Sequence, residues 1–133
     1  MPAHLEPRYF FDENLLPIGR ALAAVRGDVV YPGHRALPQV EQGADDVEWV
    51  TVIGAQGLIA VTRDRHIRTR PAERRAVLES GARLVCITGK QNLTMWQRLD
   101  AVVRAWPVIE RAELLPGPWV KGLSGGQLHD LKL

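Results

Sequence analysis

Two hydrophobic patterns alternate along the chain. Short continuous apolar runs are typical of strands buried on both faces, whereas apolar residues three or four positions apart indicate one face of a helix. The short runs predict strands at residues 8–11, 28–31, 58–62, 84–88 and 118–123, the last of them as an edge strand. Strands and helices are therefore interleaved from the beginning of the chain to its last third.

Helical spacing covers residues 15–25, 45–56, 71–80 and 93–113. Gly57 and Gly81 directly follow the second and third of these stretches, as expected for residues that end helices. Pro107 interrupts or restarts the last stretch. Residues 32–44 hold two prolines and two glycines and predict a loop, while the last ten residues are only weakly patterned.

Alternating strands and helices predict an α/β fold, here a three-layer α/β/α sandwich around a central, mostly parallel sheet. The length of 133 residues, with 46% apolar and 24% charged residues, fits a single domain over residues 1–133. No apolar run approaches the roughly 20 residues that span a bilayer, and residues 1–8 lack the apolar core of a signal peptide. We therefore expect a soluble, cytoplasmic protein without a membrane partner.

The aromatic and sulfur-containing residues predict core positions rather than chemistry. Cys86 is the one cysteine of the sequence and lies in a predicted strand, which excludes an internal disulfide and a multi-cysteine metal site. Trp96 and Trp106 lie on the last predicted helix, and we expect both in the core.

Basic charge is concentrated in one segment. Residues 63–75 contain six arginines and only two carboxylates, although the whole chain has a net charge of only +2. A local basic stripe on a domain that is otherwise slightly acidic suggests contact with a polyanion. The alternative is a solvated arginine-rich loop without a partner.

Acidic residues follow two of the predicted strands. Asp12 comes directly after the first strand, and Asp64 comes directly after the third. Because the carboxyl ends of parallel strands meet at one edge of the sheet, we expect these two side chains to converge there. A third acidic group, at Asp45, Asp46 and Glu48, opens the helix that leads into the third strand. Clustered carboxylates repel one another unless a divalent cation such as Mg²⁺ binds between them.

Each acid also has a structural interpretation. Asp45 and Glu48 have the spacing of a helix capping box, and Asp12 and Asp64 could cap a helix and a turn. Asp46 differs because it shares a helical face with apolar residues and should point toward the sheet. The joint placement of Asp12, Asp46 and Asp64 is therefore the stronger signal for chemistry.

These motifs resemble those of PIN-like domains. The apolar strand that ends in Asp12-Glu13-Asn14 resembles the opening of that family, and residues 46–49 and 57–64 resemble its second and third acidic motifs. Residues 65–74 resemble the subgroup related to VapC-type toxins. The resemblance covers residues 9 to about 90.

The resemblance implies an α/β/α nuclease that cleaves RNA with Mg²⁺ or Mn²⁺. As metal ligands it implies Asp12, Asp46 and Asp64, with Asp46 or Glu48 as the catalytic acid between the other two. It implies Thr62 as support for the site, and we expect Glu13 and Asn14 to support the site as well. From the basic stripe we expect RNA contacts at Arg63, Arg65, His66, Arg68 and Arg70. It further implies a toxin that a cognate antitoxin protein holds inactive. A homodimer is a separate expectation.

The chain departs from the family's pattern after the third strand. Many PIN-like domains carry another carboxylate just beyond the aspartate, where this chain has Arg65 and His66, and this puts a second metal ion in question. Glu73 could supply an acid instead, but its basic neighbours favour pairing with an arginine.

Two alternatives remain open. The first is a non-catalytic PIN-like binding subunit, which the altered position at His66 allows. The second is a receiver-like phospho-acceptor domain, which also has acids after its first and third strands and would use Thr88 and Lys90. A receiver separates those two residues by a helix, whereas here they lie two positions apart.

Overall fold

The computed structural model describes residues 6–88 and 93–133, and within them six strands form one sheet. The strands are β1 (Tyr9–Phe11), β2 (Val29–Val30), β3 (Ile59–Thr62), β4 (Arg83–Ile87), β5 (Trp119–Ser124) and β6 (Gln127–Asp130). Their spatial order is β2-β1-β3-β4-β5-β6. Every neighbouring pair is parallel except β5 and β6, which are antiparallel.

The helices lie where the spacing predicts them. They are α1 (Leu16–Ala23), α2 (Asp46–Gln56), α3 (Pro71–Ser80), α4 (Met95–Arg104) and α5 (Trp106–Arg111). Short 3-10 turns cover Glu13–Leu15 and Ala112–Leu114. Gly57 and Gly81 end α2 and α3 in the left-handed conformation, with φ of 71° and 74°, which glycine adopts without steric cost.

Two hydrophobic cores lie on opposite faces of the sheet. Tyr9 and Phe11 of β1 pack in one core with α1, α4 and α5, whereas Phe10 packs in the other with α2 and α3. Adjacent residues of a strand point to opposite faces, so β1 contributes to both cores at once. This arrangement confirms the predicted three-layer α/β/α sandwich with a mostly parallel sheet.

The C-terminal part of the sheet corrects two expectations. β5 is not an edge strand, because β6 pairs with it on its outer side. The hairpin turns at Gly125 and Gly126, both with positive φ, and the strand that follows is mostly exposed. An exposed edge strand needs no apolar alternation, which is why the last ten residues seemed unpatterned.

The two tryptophans of the last predicted helix have different environments. That stretch is two helices, α4 and α5, which meet at Ala105. Trp106 is buried as expected, but Trp96 is 76% exposed, so its placement in the core was wrong. Within residues 6–88 and 93–133, no helix is long and apolar enough to cross a bilayer.

The order of the strands identifies where a ligand would bind. From β1 the chain moves to β2 on one side, then returns past β1 to β3 on the other side. The connecting helices α1 and α2 accordingly pack on opposite faces of the sheet. Such a reversal leaves a crevice beyond the carboxyl ends of the two central strands, here β1 and β3.

Candidate functional site

Asp12 is the buried acid of this crevice. It follows β1 directly and is only 6% exposed. Its Oδ1 accepts a hydrogen bond from the backbone N–H of Glu13 at 2.6 Å, and its Oδ2 accepts one from the Thr62 hydroxyl at 2.8 Å. The parallel register pairs Phe11 with Val61, which brings Asp12 level with Thr62 at the end of β3.

The hydroxyl of Thr62 connects three elements of the site. Besides donating to Asp12, Oγ1 accepts hydrogen bonds from the Asp64 backbone N–H at 3.1 Å and from Asn14 Nδ2 at 3.3 Å. A hydroxyl offers one donor and two acceptor positions, so its capacity is fully used. Asn14 also accepts from the Arg63 backbone N–H at 3.3 Å, which ties the loop after β1 to the loop after β3.

Asp46 reaches the same crevice from the first residue of α2. Its Oδ1 accepts a hydrogen bond from the indole Nε1 of Trp49 at 2.9 Å. The Trp49 ring stacks on Phe10 of β1, with ring centroids 5.1 Å apart, so the tryptophan orients the carboxylate relative to the sheet. This contact agrees with the prediction that Asp46 shares the inward face of the helix.

Arg70 lies between two of the acids. Its Nη2 is 3.1 Å from Asp46 Oδ2 and also donates to Asp64 Oδ2, while its Nε donates to Glu73. Arg70 therefore turns toward the carboxylates and not outward along the basic stripe. The pairing of Glu73 with an arginine is confirmed.

The three aspartates share one arrangement of their oxygens. In each, Oδ1 is held by a nearby N–H group: the Glu13 backbone for Asp12, Trp49 for Asp46, and the His66 backbone, at 3.0 Å, for Asp64. In each, Oδ2 meets a side chain of the site, which is Thr62 or Arg70. The capping contacts predicted for Asp12 and Asp64 therefore coexist with the cluster, because they use only one oxygen of each group.

The carboxylates differ in their affinity for protons. Burial raises the pKa of Asp12 to about 6, and the negative charges of Asp46 and Asp64 add to that effect against the hydrogen bonds from Thr62 and Glu13. Burial also acts to raise the pKa of Asp64. There the hydrogen bond and charge of Arg70, together with the His66 backbone N–H, outweigh burial and lower the pKa below its ordinary value.

Two predicted acids lie apart from the cluster. Glu48 is exposed, and its backbone N–H donates to Asp45 Oδ1 at 2.8 Å, so Asp45 caps α2 as the alternative interpretation held. Glu13 accepts a hydrogen bond from the Gly43 backbone N–H at 2.6 Å and holds the loop over residues 32–44. Of the two acids considered for the middle position, the structure brings Asp46, not Glu48, into contact with the other site residues.

The basic stripe divides into outward and inward members. Arg63, Arg65 and His66 are exposed in the loop after β3, which buried Ile67 anchors in the core beside α2 and α3. Arg68 donates instead to the backbone carbonyl of Lys132 at 2.8 Å. Together with the contacts of Arg70, this leaves three of the five predicted RNA-contact residues facing solvent beside the acids.

The receiver-like alternative depends on Thr88 and Lys90. The Thr88 hydroxyl donates to the carbonyl of Leu123 at 3.3 Å, at the end of β5. Lys90 lies outside the described residues.

Sequence reasoning missed the contacts that Arg70 and Trp49 make with the acids. Arg70 was grouped with the stripe, although two signals separate it: it directly precedes Pro71 at the helix start, and Glu73 follows three residues later. Trp49 also carried a signal, because its position three residues after Asp46 places its indole N–H on the same helical face as that acid.

The donor set fits a hard divalent cation. Carboxylate oxygens are the ligands that Mg²⁺ and Mn²⁺ prefer, and three aspartates present them at one crevice. Within the described residues, no group of three or more acidic, histidine or cysteine side chains is gathered closely enough to hold a metal ion. The guanidinium of Arg70 lies between Asp46 and Asp64 and contacts both. A metal ion would require that guanidinium to move.

Comparison with known proteins identifies the family of the chain. The PIN-like domain family matches residues 7–89, more than half of the chain and a range that includes all the site residues described above. A curated protein of Mycobacterium tuberculosis, named "Putative ribonuclease VapC45", is 32% identical over 79 residues. The match covers 59% of this chain and 56% of that relative, so the chain spans just over half of the relative's length. No solved structure matches the chain. The chain belongs to the PIN-like domain family.

Proposed function

We propose that this protein is a metal-dependent endoribonuclease whose Mg²⁺ or Mn²⁺ is held by Asp12, Asp46 and Asp64. The observation that supports the proposal is a network of contacts at the carboxyl ends of β1 and β3, in which Arg70 joins Asp46 to Asp64 and Thr62 joins Asp12 to the Asp64 backbone. The relative named as a ribonuclease supports the same reaction class.

The roles of the chain's own residues follow from their contacts. When bound, the divalent cation would supply positive charge to a phosphodiester and promote ionisation of a water molecule. Thr62 holds Asp12 in place and, through the Asp64 backbone, couples the loops after β1 and β3. Asn14 strengthens that coupling by bonding both Thr62 and Arg63.

The RNA backbone would be bound by the exposed members of the basic stripe. Arg63, Arg65 and His66 face solvent in the loop that also carries Asp64. Contacts to phosphates position a nucleic acid without carrying sequence information, so these residues would position RNA rather than select a sequence. Arg68 is not part of this proposed surface because its guanidinium is bonded to the C-terminal backbone.

The proposal extends to a toxin that a cognate antitoxin protein inhibits. Its support is the resemblance to VapC-type toxins and the name of the similar protein from M. tuberculosis. Exposed apolar side chains on α4, among them Trp96 and Val103, offer a surface on which another protein could pack.

The first test is cleavage of a mixed RNA pool at low salt, with Mg²⁺, Mn²⁺ or EDTA. We expect cleavage with either metal and none with EDTA. Asp64→Asn and Asp46→Asn should abolish it, whereas the exposed matched control Glu48→Gln should retain it. Cleavage that survives EDTA, or full activity of Asp64→Asn, would refute the metal site.

A second candidate function is a non-catalytic binding subunit. The observation that favours it is the guanidinium of Arg70 in contact with two of the three acids. This candidate predicts that the protein binds RNA, that cleavage is absent with every metal, and that Asp64→Asn leaves RNA binding unchanged.

A further inference from the structure

We propose that Arg70 is an internal cation that occupies the carboxylate cluster in the metal-free protein and competes with the divalent ion for it. The proposal rests on the metal site proposed above and adds a residue that sets its affinity. In this proposal the Arg70 guanidinium neutralises the acids while no metal ion is bound, and it leaves them when a metal ion binds.

The geometry of Arg70 is that of a bridging cation. One nitrogen, Nη2, contacts Oδ2 of both Asp46 and Asp64, which are the oxygens that no backbone or indole N–H holds. A divalent ion held by both aspartates while their Oδ1 atoms keep these N–H bonds would bind the same two oxygens. The guanidinium and the metal ion therefore exclude each other, and the protein can satisfy its acids with either one.

The backbone of Arg70 is bonded on both sides, whereas its side chain is partly exposed. Its backbone N–H bonds the carbonyl of His66, and its carbonyl accepts from Arg74 in the first turn of α3. The side chain is 42% exposed, so solvent can replace its contacts as it leaves. A divalent ion that displaces the arginine would therefore leave its guanidinium in contact with water.

Glu73 determines where the arginine rests. Its carboxylate accepts from Arg70 Nε, so α3 holds the guanidinium through Nε while Nη2 meets the aspartates. Both residues belong to the start of α3, whereas the aspartates come from other elements. The competing guanidinium therefore lies at the start of α3, an element that carries none of the three aspartates.

This arrangement has a measurable consequence for metal affinity. If the arginine-bound state is the main one without metal, the apparent affinity falls by the fraction of molecules whose acids are free. Arg70→Gln removes the competitor and should tighten binding by about tenfold if roughly nine molecules in ten hold the arginine inward.

The experiment is calorimetric titration of Mn²⁺ into the full chain, wild type and variants, at one pH and salt. Arg75→Gln is the matched control, because it removes the same charge from the same helix at an exposed position. We expect Arg70→Gln to bind about tenfold more tightly than wild type and Arg75→Gln to bind within about twofold of it. Loss of Mn²⁺ binding in Asp64→Asn shows that the measured binding takes place at the carboxylate cluster.

The outcomes separate this proposal from the metal site itself. Tighter binding by Arg70→Gln alone supports the competition, as does binding that appears only in that variant. Equal tightening by Arg75→Gln would reduce the effect to general charge and overturn it. If Arg70→Gln binds Mn²⁺ no more tightly than wild type, the competition is overturned. If Asp64→Asn abolishes binding in that same experiment, the proposed metal site is still supported. If neither protein binds Mn²⁺, both proposals fail.

A direct measurement covers the case in which Arg70→Gln fails to fold. The Nε–H resonance of Arg70 in wild-type protein should be protected from solvent exchange in EDTA, because Glu73 accepts its hydrogen bond. Addition of diamagnetic Mg²⁺ should shift that resonance and reduce its protection. A resonance that stays unchanged at saturating Mg²⁺ would show that the arginine does not move and would overturn the proposal.

Discussion

Thr62 holds the candidate site together through a single oxygen atom. It is fully buried, and its hydroxyl bonds Asp12, Asn14 and the backbone of Asp64. Buried polar groups that lose a partner cost more than the hydrogen bond contributed, since water cannot replace it. The positions of Asp12 and Asp64 therefore depend on the hydroxyl group that threonine has and valine lacks.

Thr62→Val should consequently destabilise the protein although it preserves the shape of the side chain. We expect a loss of about 1–3 kcal/mol in the free energy of unfolding, because the partners of Oγ1 are left unsatisfied. Urea denaturation in EDTA measures it, with Thr51→Val as control, since the Thr51 hydroxyl bonds only a carbonyl of its own exposed helix surface. Equal stability of the two variants would contradict the role assigned to Thr62.

Asp12 makes the stability of the metal-free protein depend on pH. Burial raises its pKa in the folded state to about 6, from 3.8 for the free side chain. The folded state thus binds this proton more tightly than the unfolded state does. Protonation of Asp12 therefore stabilises the protein at low pH, and this stabilisation is lost as the pH rises through about 6. These pKa values correspond to a loss of roughly 2–3 kcal/mol between about pH 4 and pH 7.

Asp12→Asn should remove that dependence. We expect wild-type protein in EDTA to lose stability relative to Asp12→Asn as the pH rises from about 4.5 to 7.5. Urea denaturation across this range gives the difference between the two proteins at each pH. Asp64 does not obscure the result, because its pKa is lowered and it remains ionised throughout the range. A constant difference would mean that Asp12 is not protonated more readily in the folded state.

At the scale of elements, α2 and α3 pack closely enough to fix the positions of Asp46 and Arg70. A Cβ on Gly54 of α2 would lie 2.5 Å from Ser80 Cβ and 2.8 Å from the Ser80 backbone oxygen. Contacts of this length do not occur between real atoms, so the helices touch where glycine has no side chain. The starts of the two helices carry the acid and the arginine that meet at the site.

Gly54→Ala should therefore push the two helices apart. We expect a loss of stability of about 1–3 kcal/mol from overpacking, despite the better helix propensity of alanine. Thermal unfolding provides the comparison, with Thr51→Ala on the exposed side of the same helix expected to be nearly neutral. A Gly54→Ala protein as stable as wild type would show that the helices can separate without cost.

The elements also show how much the sequence could predict. Strands such as β3 and β4 are continuous apolar runs, and glycines end α2 and α3, so local chemistry specifies them. β6 was not predicted, because an exposed edge strand carries no core-facing hydrophobic pattern. Asp12 and Asp64 could be placed together because parallel strands align their ends, and Asp46 could be assigned to the inward face of α2. The contact of Arg70 with two acids depends on how α3 packs, which no local pattern encodes.

At the scale of the whole molecule, charge is distributed unevenly around the sandwich. Three exposed basic side chains, Arg63, Arg65 and His66, border the acidic crevice. Other exposed arginines, such as Arg104 and Arg111, belong to the α4–α5 layer. If RNA crosses the crevice, only the first set should release counterions from the phosphate backbone when RNA binds.

The salt dependence of RNA binding distinguishes these two surfaces. For a single strand, the slope of log affinity against log salt is about −0.7 for each phosphate neutralised, so Arg63→Gln with Arg65→Gln should flatten it by roughly 1.4. The double variant Arg104→Gln with Arg111→Gln removes the same charge from the other layer and should leave the slope unchanged. Fluorescence anisotropy with a labelled single-stranded RNA, in EDTA to prevent cleavage, measures both. Equal flattening by the two double variants would mean that net charge, and not the loop after β3, attracts the RNA. An unchanged slope in both would place the RNA contact outside these four arginines.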